Sequence, residues 1–300
     1  MDSDSHDTLI DPFSISQAFR KDRVRPTLTV LAGPDLGRVF SLIPGKSIIG
    51  RGVETSVHIP HESISRRHCE IEVSQEGAAF LRDLSSTNGT RVQERDIVDQ
   101  TVQLEGGEQI RLSKKVALKF AFQDHLELTA QEDLYSNAVR DALTGVHNKR
   151  FFMERIEHEV AYAARHGTPL SLLLFDLDHF KQVNDTYGHA VGDQVLITVA
   201  QRVHNTLRSE DIFARFGGEE FIVLMRGTPQ SEALNVAERI REAIAAKEIT
   251  SDDVSLTASV SIGMAMHDIQ HTPNAAALIA LADTRLYTAK ALGRNQVVSS

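Results

Sequence analysis

Between Thr27 and Phe122, short β-type apolar runs alternate with Gly, Asn and Asp turns at the spacing of a strand-and-turn array. Thr27–Leu31, Ser47–Ile49, Cys69–Val73 and Val116–Phe120 are such runs, and they predict an all-β sandwich over residues 25–122. The stretch 123–140 contains no Gly or Pro, and Leu126, Leu134 and Val139 fall roughly on one helical face. It predicts a connecting helix that either pairs with its copy in a dimer or packs on its own domain. From Asp141 onward helical and strand patterns alternate. Helices are predicted over 149–166, 192–207, 231–246 and 274–292. Leu170–Phe175 reads as a strand buried on both faces, and 254–266 as a strand pair or one long strand. A central hairpin in this mixed order predicts an α+β domain over 141–300, a layer of helices on one antiparallel-rich sheet. Residues 1–24 are polar without apolar periodicity and read as a flexible tail.

The candidate chemistry sits where the α+β pattern turns. Arg215-Phe216-Gly217-Gly218-Glu219-Glu220-Phe221 lies between the strand-like runs Asp211–Ala214 and Phe221–Met225, and a Gly-Gly pair there is a hairpin signal. Adjacent carboxylates beside a turn are costly unless a cation binds. Upstream, Leu172–Phe175 ends in Asp176-Leu177-Asp178. Carboxylates at the ends of two neighbouring strands suit Mg²⁺, which takes oxygen ligands and leaves positions for phosphate.

Composition narrows the setting. Three hundred residues suggest about two domains. No apolar run is long enough for a membrane helix, and the acidic start Met1–Asp7 lacks the pattern of a signal peptide. The lone Cys69 excludes an intrachain disulfide and reads as a buried, inert thiol, so a reducing cytoplasm is expected. A net charge of −9 argues against a nucleic-acid polymer as partner, but not against a single nucleotide held by a local cation cluster.

Five blocks in order resemble the GGDEF family of diguanylate cyclases, in a Gly-Gly-Glu-Glu-Phe form. They are Asp141–Gly145 with Asn148-Lys149-Arg150; Phe175 to Asp193; the Gly-Gly turn; Ser259-Val260-Ser261-Ile262-Gly263; and Ala282 to Asn295. Val146 and Lys149 depart from the commoner residues of the first block, and neither is expected to touch a residue that carries chemistry. The resemblance implies condensation of two GTP molecules into cyclic di-GMP and pyrophosphate, each domain carrying one half-site, so that a homodimer is needed. It implies Mg²⁺, with Mn²⁺ as the alternative, on Asp176, Glu219 and the Leu177 carbonyl. Glu219 is the better candidate to accept the 3′-hydroxyl proton, with Glu220 beside it, and Lys181 is placed to stabilise the transition state. Lys290 and Arg294, four apart and so on one helix face, are expected to hold the β and γ phosphates, with the His179 and Phe180 N–H groups lining them. Asn184 and Asp193 offer the acceptors and donors that guanine requires. Taken alone, Asp193 also reads as a helix cap, and Lys290 with Arg294 as a solvated helix end. His189 reads as structural.

Arg208-Ser209-Glu210-Asp211 keeps the family's inhibitory-site spacing from Gly217, and Arg239 falls where the family supplies a further arginine. Product feedback is therefore expected, although the tetrapeptide alone reads as a surface ion pair. In the β-rich region Ile49-Gly50-Arg51, Ser65-Arg66-Arg67-His68 and Ser86-Thr87-Asn88-Gly89-Thr90 resemble the forkhead-associated (FHA) fold, which reads phosphothreonine. Arg51 and Arg66 suit the phosphate, Ser65 and Thr87 add hydroxyls, and Asn88 suits the peptide backbone. His68 is expected to brace the loop. Thr8, in Asp7-Thr8-Leu9-Ile10-Asp11, is the candidate phosphosite for docking on this or a partner's FHA domain. The competing reading is a catalytically silent cyclic di-GMP-binding adaptor that recruits phosphoproteins; the intact Gly217, Gly218, Glu219 and Glu220 favour the enzyme.

Overall fold

The computed structural model describes residues 24–251 and 254–300. The chain divides into two compact units at Ser136/Asn137. The expected flexible tail and Thr8 lie outside the described residues.

The first unit is a β-sandwich. Its strands are β1 (Val24–Ala32), β2 (Val39–Ser41), β3 (Gly45–Gly50), β4 (Val57–His58), β5 (Cys69–Val73) and β6 (Ala79–Asp83). They continue as β7 (Thr90–Val92), β8 (Arg95–Ile97), β9 (Thr101–Leu104), β10 (Gln109–Arg111) and β11 (Ala117–Asp124). One sheet runs β2-β1-β11-β10-β7-β8 and the other β4-β3-β5-β6-β9. Inward residues alternate along each strand, as in Leu28 and Val30 of β1 or Cys69, Ile71 and Val73 of β5, and together form the core. Cys69 is wholly buried and burial drives its thiol pKa far up, so the thiolate is suppressed.

Helix α1 (His125–Val139) follows β11 directly. It buries Leu128, and Gln131 reaches the Thr29 hydroxyl of β1 at 3.3 Å and accepts from Gln123 at 2.8 Å. The face that carries Leu126 and Leu134 is open, these residues being 78% and 71% exposed. Leaving β11, the helix turns the Leu128/Gln131 side, three residues apart, towards β1.

The second unit contains β12 (His147–Asn148), α2 (Lys149–His166), β13 (Leu170–Leu177), α3 (Phe180–Tyr187), α4 (His189–His204), β14 (Ile212–Arg215) and β15 (Glu220–Arg226). Then come α5 (Gln230–Ala245), β16 (Ile249–Ser251), β17 (Val254–Leu256), β18 (Val260–Met266), α6 (Ala275–Ala291) and β19 (Val297–Val298). The sheet runs β12-β14-β15-β13-β18-β19, antiparallel at its centre. Helices cover both faces, so the expected single helical layer becomes two. Every residue of β13 is buried, and its side chains divide by parity. Leu173, Phe175 and Leu177 pack with α4 and α5; Leu170, Leu172 and Leu174 pack with α2 and α6. The region 254–266 forms two strands rather than one, because β17 pairs with β16 and β18 with β13. Among the described residues no helix is long and apolar enough to cross a membrane.

Candidate functional site

Parity on β13 places the first carboxylate. Asp176 follows Leu172 and Leu174 on the face covered by α6, and its register partner across the sheet is Glu220, the first residue of β15. On α6, Ala282, Leu286 and Lys290 recur every four residues and form the stripe that faces the sheet. Lys290 therefore lies over the strand end, and its ammonium meets Asp176 at 2.8 Å. Glu219 precedes β15, and its carbonyl accepts from Leu177 N–H at 3.3 Å. Burial pushes the Asp176 carboxyl up; Lys290 and Arg294 oppose that rise, while Asp178 adds to it. Burial likewise raises Glu219, helped by the charges of Asp176 and Glu220 and opposed by Lys290. Two carboxylates and a carbonyl at one strand edge form a donor set suited to a hard divalent ion that keeps water and phosphate oxygens. Among the described residues, no group of three or more His, Cys, Asp or Glu side chains converges as a cage.

Asp178 has a different task. It accepts from Ser259 Oγ and Ser261 Oγ, both at 2.7 Å, and from Asn295 N–H at 3.0 Å. It ties β13 to β18 and to the segment after α6, which explains the serines of the Ser-Val-Ser-Ile-Gly block. That segment corrects one expectation. Arg294 is not on the helix face of Lys290, because α6 ends at Ala291 and Gly293 (φ 117°) turns the chain out. Arg294 itself is left-handed (φ 66°), yet its charge still acts on Asp176.

The Gly-Gly turn forms between β14 and β15, but neither glycine has positive φ, so it is not the primed two-residue turn of a tight hairpin. Gly217 serves the carboxylate instead: a Cβ there would lie 2.4 Å from Glu220 Oε2. Arg215 brackets the turn, donating to the Gly218 carbonyl through Nη2 at 2.6 Å and to Asp141 Oδ1 at 3.1 Å. Burial works against the Asp141 charge, but bonds from Thr144 and the Arg215 guanidinium hold the carboxyl below its usual range. Lys149 places its ammonium 4.2 Å from the Phe216 ring centroid. It therefore packs on the signature turn at Phe216, a residue with no assigned chemistry, and Val146 is a core residue.

His179, left-handed at φ 60°, turns β13 into α3 and precedes the Phe180 and Lys181 N–H groups at the helix start. Phe180 is buried while Lys181 is exposed. Buried Gly192 on α4 leaves room for Asn184: a Cβ there would lie 1.9 Å from Asn184 Oδ1. This contact sets Asn184 beside Asp193, which is exposed on the next position of α4.

A second cluster forms where α4, β14 and α5 meet. Arg208, Asp211 and Arg239 line one cavity of about 370 Å³. Asp211 accepts from Arg208 N–H at 2.9 Å, and Arg239 donates to the Thr206 carbonyl at 2.6 Å. Burial raises the Asp211 carboxyl pKa, opposed by the Arg208 backbone bond.

In the sandwich, Arg51 N–H donates to Ser65 O and Gly52 N–H to Arg66 O, both at 3.0 Å. Gly50 permits this approach, since a Cβ there would lie 2.1 Å from Arg66 O. Arg51 and Arg66 thus leave adjacent backbones as exposed side chains. Thr87 N–H donates to Ser65 Oγ at 3.1 Å, and Asn88 Nδ2 donates to Ser63 O at 2.6 Å. Buried His68 accepts from Ser65 N–H at Nδ1 and donates from Nε2 to Gly89 O, spanning both loops. Burial lowers its pKa, in keeping with that neutral tautomer. Asp83, which carried no sequence signal, accepts from Ser86 Oγ at 2.7 Å and Thr90 Oγ1 at 2.5 Å and fixes the second loop.

These features define a class: a loop-bearing β-sandwich followed by an α+β domain with acidic strand ends under a basic helix. The chain belongs to the family "Diguanylate cyclase, GGDEF domain", whose model matches residues 138–296, and an FHA domain model matches residues 47–113. It is 43% identical over 160 residues to "Diguanylate cyclase DosC" of Escherichia coli K12, covering 52% of this chain and 34% of that protein. It is 43% identical over 164 residues to "Response regulator PleD" of Caulobacter vibrioides, covering 54% of this chain and 36% of that one. The chain thus spans about a third of the length of these relatives. The GGDEF domain of DgcB from Caulobacter crescentus, solved with c-di-GMP, matches with a TM-score of 0.52 at 31% identity, over 54% of this chain and 95% of that one. Diguanylate cyclase SiaD of Pseudomonas aeruginosa, solved with its activator SiaC, matches with a TM-score of 0.53 at 35% identity, over 57% and 65%.

Proposed function

We propose that this chain condenses two GTP molecules into cyclic di-GMP under control of its FHA domain. The observation that carries the reading is the strand-end arrangement of Asp176, Glu219 and Glu220 beneath Lys290. In each half-reaction the 3′-oxygen of one GTP bonds to the α-phosphorus of the other. The α–β phosphoanhydride bond breaks, pyrophosphate leaves, and Glu219 takes the hydroxyl proton. Mg²⁺, held by Asp176, Glu219 and the Leu177 carbonyl, would neutralise phosphate charge and acidify the hydroxyl. Lys290 and Arg294 hold the β and γ phosphates, and Lys181 meets the charge that grows in the transition state. Asn184 and Asp193 select guanine. Each chain supplies one half-site, so turnover needs two copies. Arg51, Ser65, Arg66, Thr87 and Asn88 bind phosphothreonine, with Thr8 as a candidate source, in a cytoplasmic setting.

The test is purified chain with GTP and Mg²⁺, the product identified by mass; absence of cyclic di-GMP from a dimerised sample would sink the reading. Arg208, Asp211 and Arg239 bind the product as feedback inhibitor. Arg208→Ala is expected to raise the cyclic di-GMP concentration for half-inhibition by about tenfold or more, as loss of a charge-assisted contact implies. An unchanged inhibition curve would remove this site from the mechanism.

A further inference from the structure

Arg294 projects from an uncommon backbone. It and Asn295 are consecutive left-handed residues, φ 66° and 44°, and neither is glycine. Asparagine tolerates that region because its short amide can bond locally; arginine has no such help. A pair of this kind persists only where its surroundings hold it. Backbone bonds supply part of the hold. Arg294 N–H donates to Ala289 O at the end of α6, at 3.0 Å, and Ile262 N–H of β18 donates to Gln296 O at 2.9 Å. Asn295 N–H donates to Asp178 Oδ2 at 3.0 Å. The Asn295 side chain is held separately, from α5. Arg241 Nη1 donates to Asn295 Oδ1 at 3.1 Å, across 54 residues of sequence. Arg241 is itself fixed, because Nε donates to Glu238 Oε2 at 2.7 Å and Nη2 lies 3.9 Å from Glu242 Oε1. Its side chain is only 22% exposed. Beneath it, Ala237 and Ile240 are buried in the core against which Val297 of β19 packs, so α5 is a firm base.

We propose that Arg241 is a positioning residue for the triphosphate: through Asn295 it fixes the left-handed turn that presents Arg294 to the β and γ phosphates. The inference rests on the assignment of Arg294 to those phosphates and deepens it. Arg241 acts through Asn295 and touches no substrate atom. The physical reason is preorganisation. Arg294 is a long, exposed side chain, and any backbone freedom at its root must be lost when the phosphates bind. A root tied to Asp178 on one side and to α5 on the other has lost that freedom in advance. A guanidinium bonded to an amide oxygen is a charge-assisted contact, which suits it to this hold.

The experiment uses the full chain with Mg²⁺ and isothermal titration of two ligands, GMP and α,β-methylene-GTP, whose carbon bridge cannot release pyrophosphate. The ratio of the two affinities reads the β and γ phosphates apart from guanine. Arg241→Ala is expected to lower this ratio by about tenfold while leaving GMP affinity unchanged. Asn295→Gly keeps the left-handed backbone open but removes Oδ1, and should lower the ratio as well. The double variant should fall no further than the larger single effect, since both remove one contact. Equal loss of affinity for both ligands, an unmoved ratio, or additive losses in the double variant overturn the positioning role. Arg294→Ala checks the assignment beneath it: a ratio that this variant leaves unmoved overturns the phosphate role of Arg294 instead. The titration needs no turnover, so a chain that showed these ratios but made no cyclic di-GMP would lose the proposed reaction and keep the positioning.

Discussion

Glu219→Gln is expected to lower cyclic di-GMP formation by about a thousandfold or more while making the folded chain more stable at neutral pH. The first half follows from the proposed roles of Glu219 as base and metal-binding oxygen, since a positioned general base alone contributes about 10²–10⁴. The second follows from electrostatics. Glu219 stands beside Asp176 and Glu220, and burial with their charges raises its pKa. A carboxyl whose folded pKa is raised stabilises the fold below its ordinary range, and that contribution is lost as pH rises through the raised value. At neutral pH the parent chain therefore bears the repulsion, and the neutral amide relieves it. The group is only partly buried, so solvent screening limits the gain to about 0.5 kcal/mol. Thermal unfolding of parent and variant at neutral pH and near pH 4 separates the two effects. The variant's advantage should be present at the higher pH and vanish at the lower. Parent-like turnover, or a variant less stable at neutral pH, contradicts the assignment.

Much of this site was legible because it is written in local blocks. Asp176 ends a continuous apolar run, Glu219 and Glu220 follow a glycine pair, and the α2 pattern gave bounds that coincide with Lys149–His166. What escaped depends on partners distant in sequence. Asp178 finds Ser259 and Ser261 across 81 and 83 residues, and Arg215 finds Asp141 across 74. No periodicity marks such pairs, so Asp178 looked like another candidate ligand when it is a clamp. The misplacement of Arg294 differs, because a signal existed. A spacing of four from Lys290 implies one face only if the helix continues, and Gly293 was the visible stop. The Gly-Gly pair misled in the opposite way. Gly217 makes room for the Glu220 side chain, and neither glycine permits an unusual backbone, which sequence cannot distinguish. The two helical layers could have been read from the unbroken apolar run of β13, since a strand buried on both faces needs a cover on each.

Gly263→Ala is expected to destabilise the second unit by about 3 kcal/mol or more, at the upper end of overpacking costs. Along β18, Val260, Ile262 and Met264 face α4 and α5, so Gly263 faces α6. A Cβ there would lie 2.0 Å from Ala282 O and 2.3 Å from Leu286 N. Both are backbone atoms within a helix and cannot rotate aside, so α6 itself must move away from the sheet. That displacement opens the packing of Leu278, Ala282 and Leu286 and lifts Lys290, four residues beyond Leu286, from Asp176. Stability and turnover should therefore fall together in this variant, the reverse of the Glu219→Gln pattern. Gly218→Ala is the control for stability, since nothing lies within 4 Å of its Cβ position and its φ is not left-handed. Denaturant midpoints of the two variants give the comparison. A Gly263→Ala midpoint equal to that of Gly218→Ala would show that α6 does not rest on β18 as closely as the structure has it, and the placement of Lys290 over the acidic strand ends would lose its support.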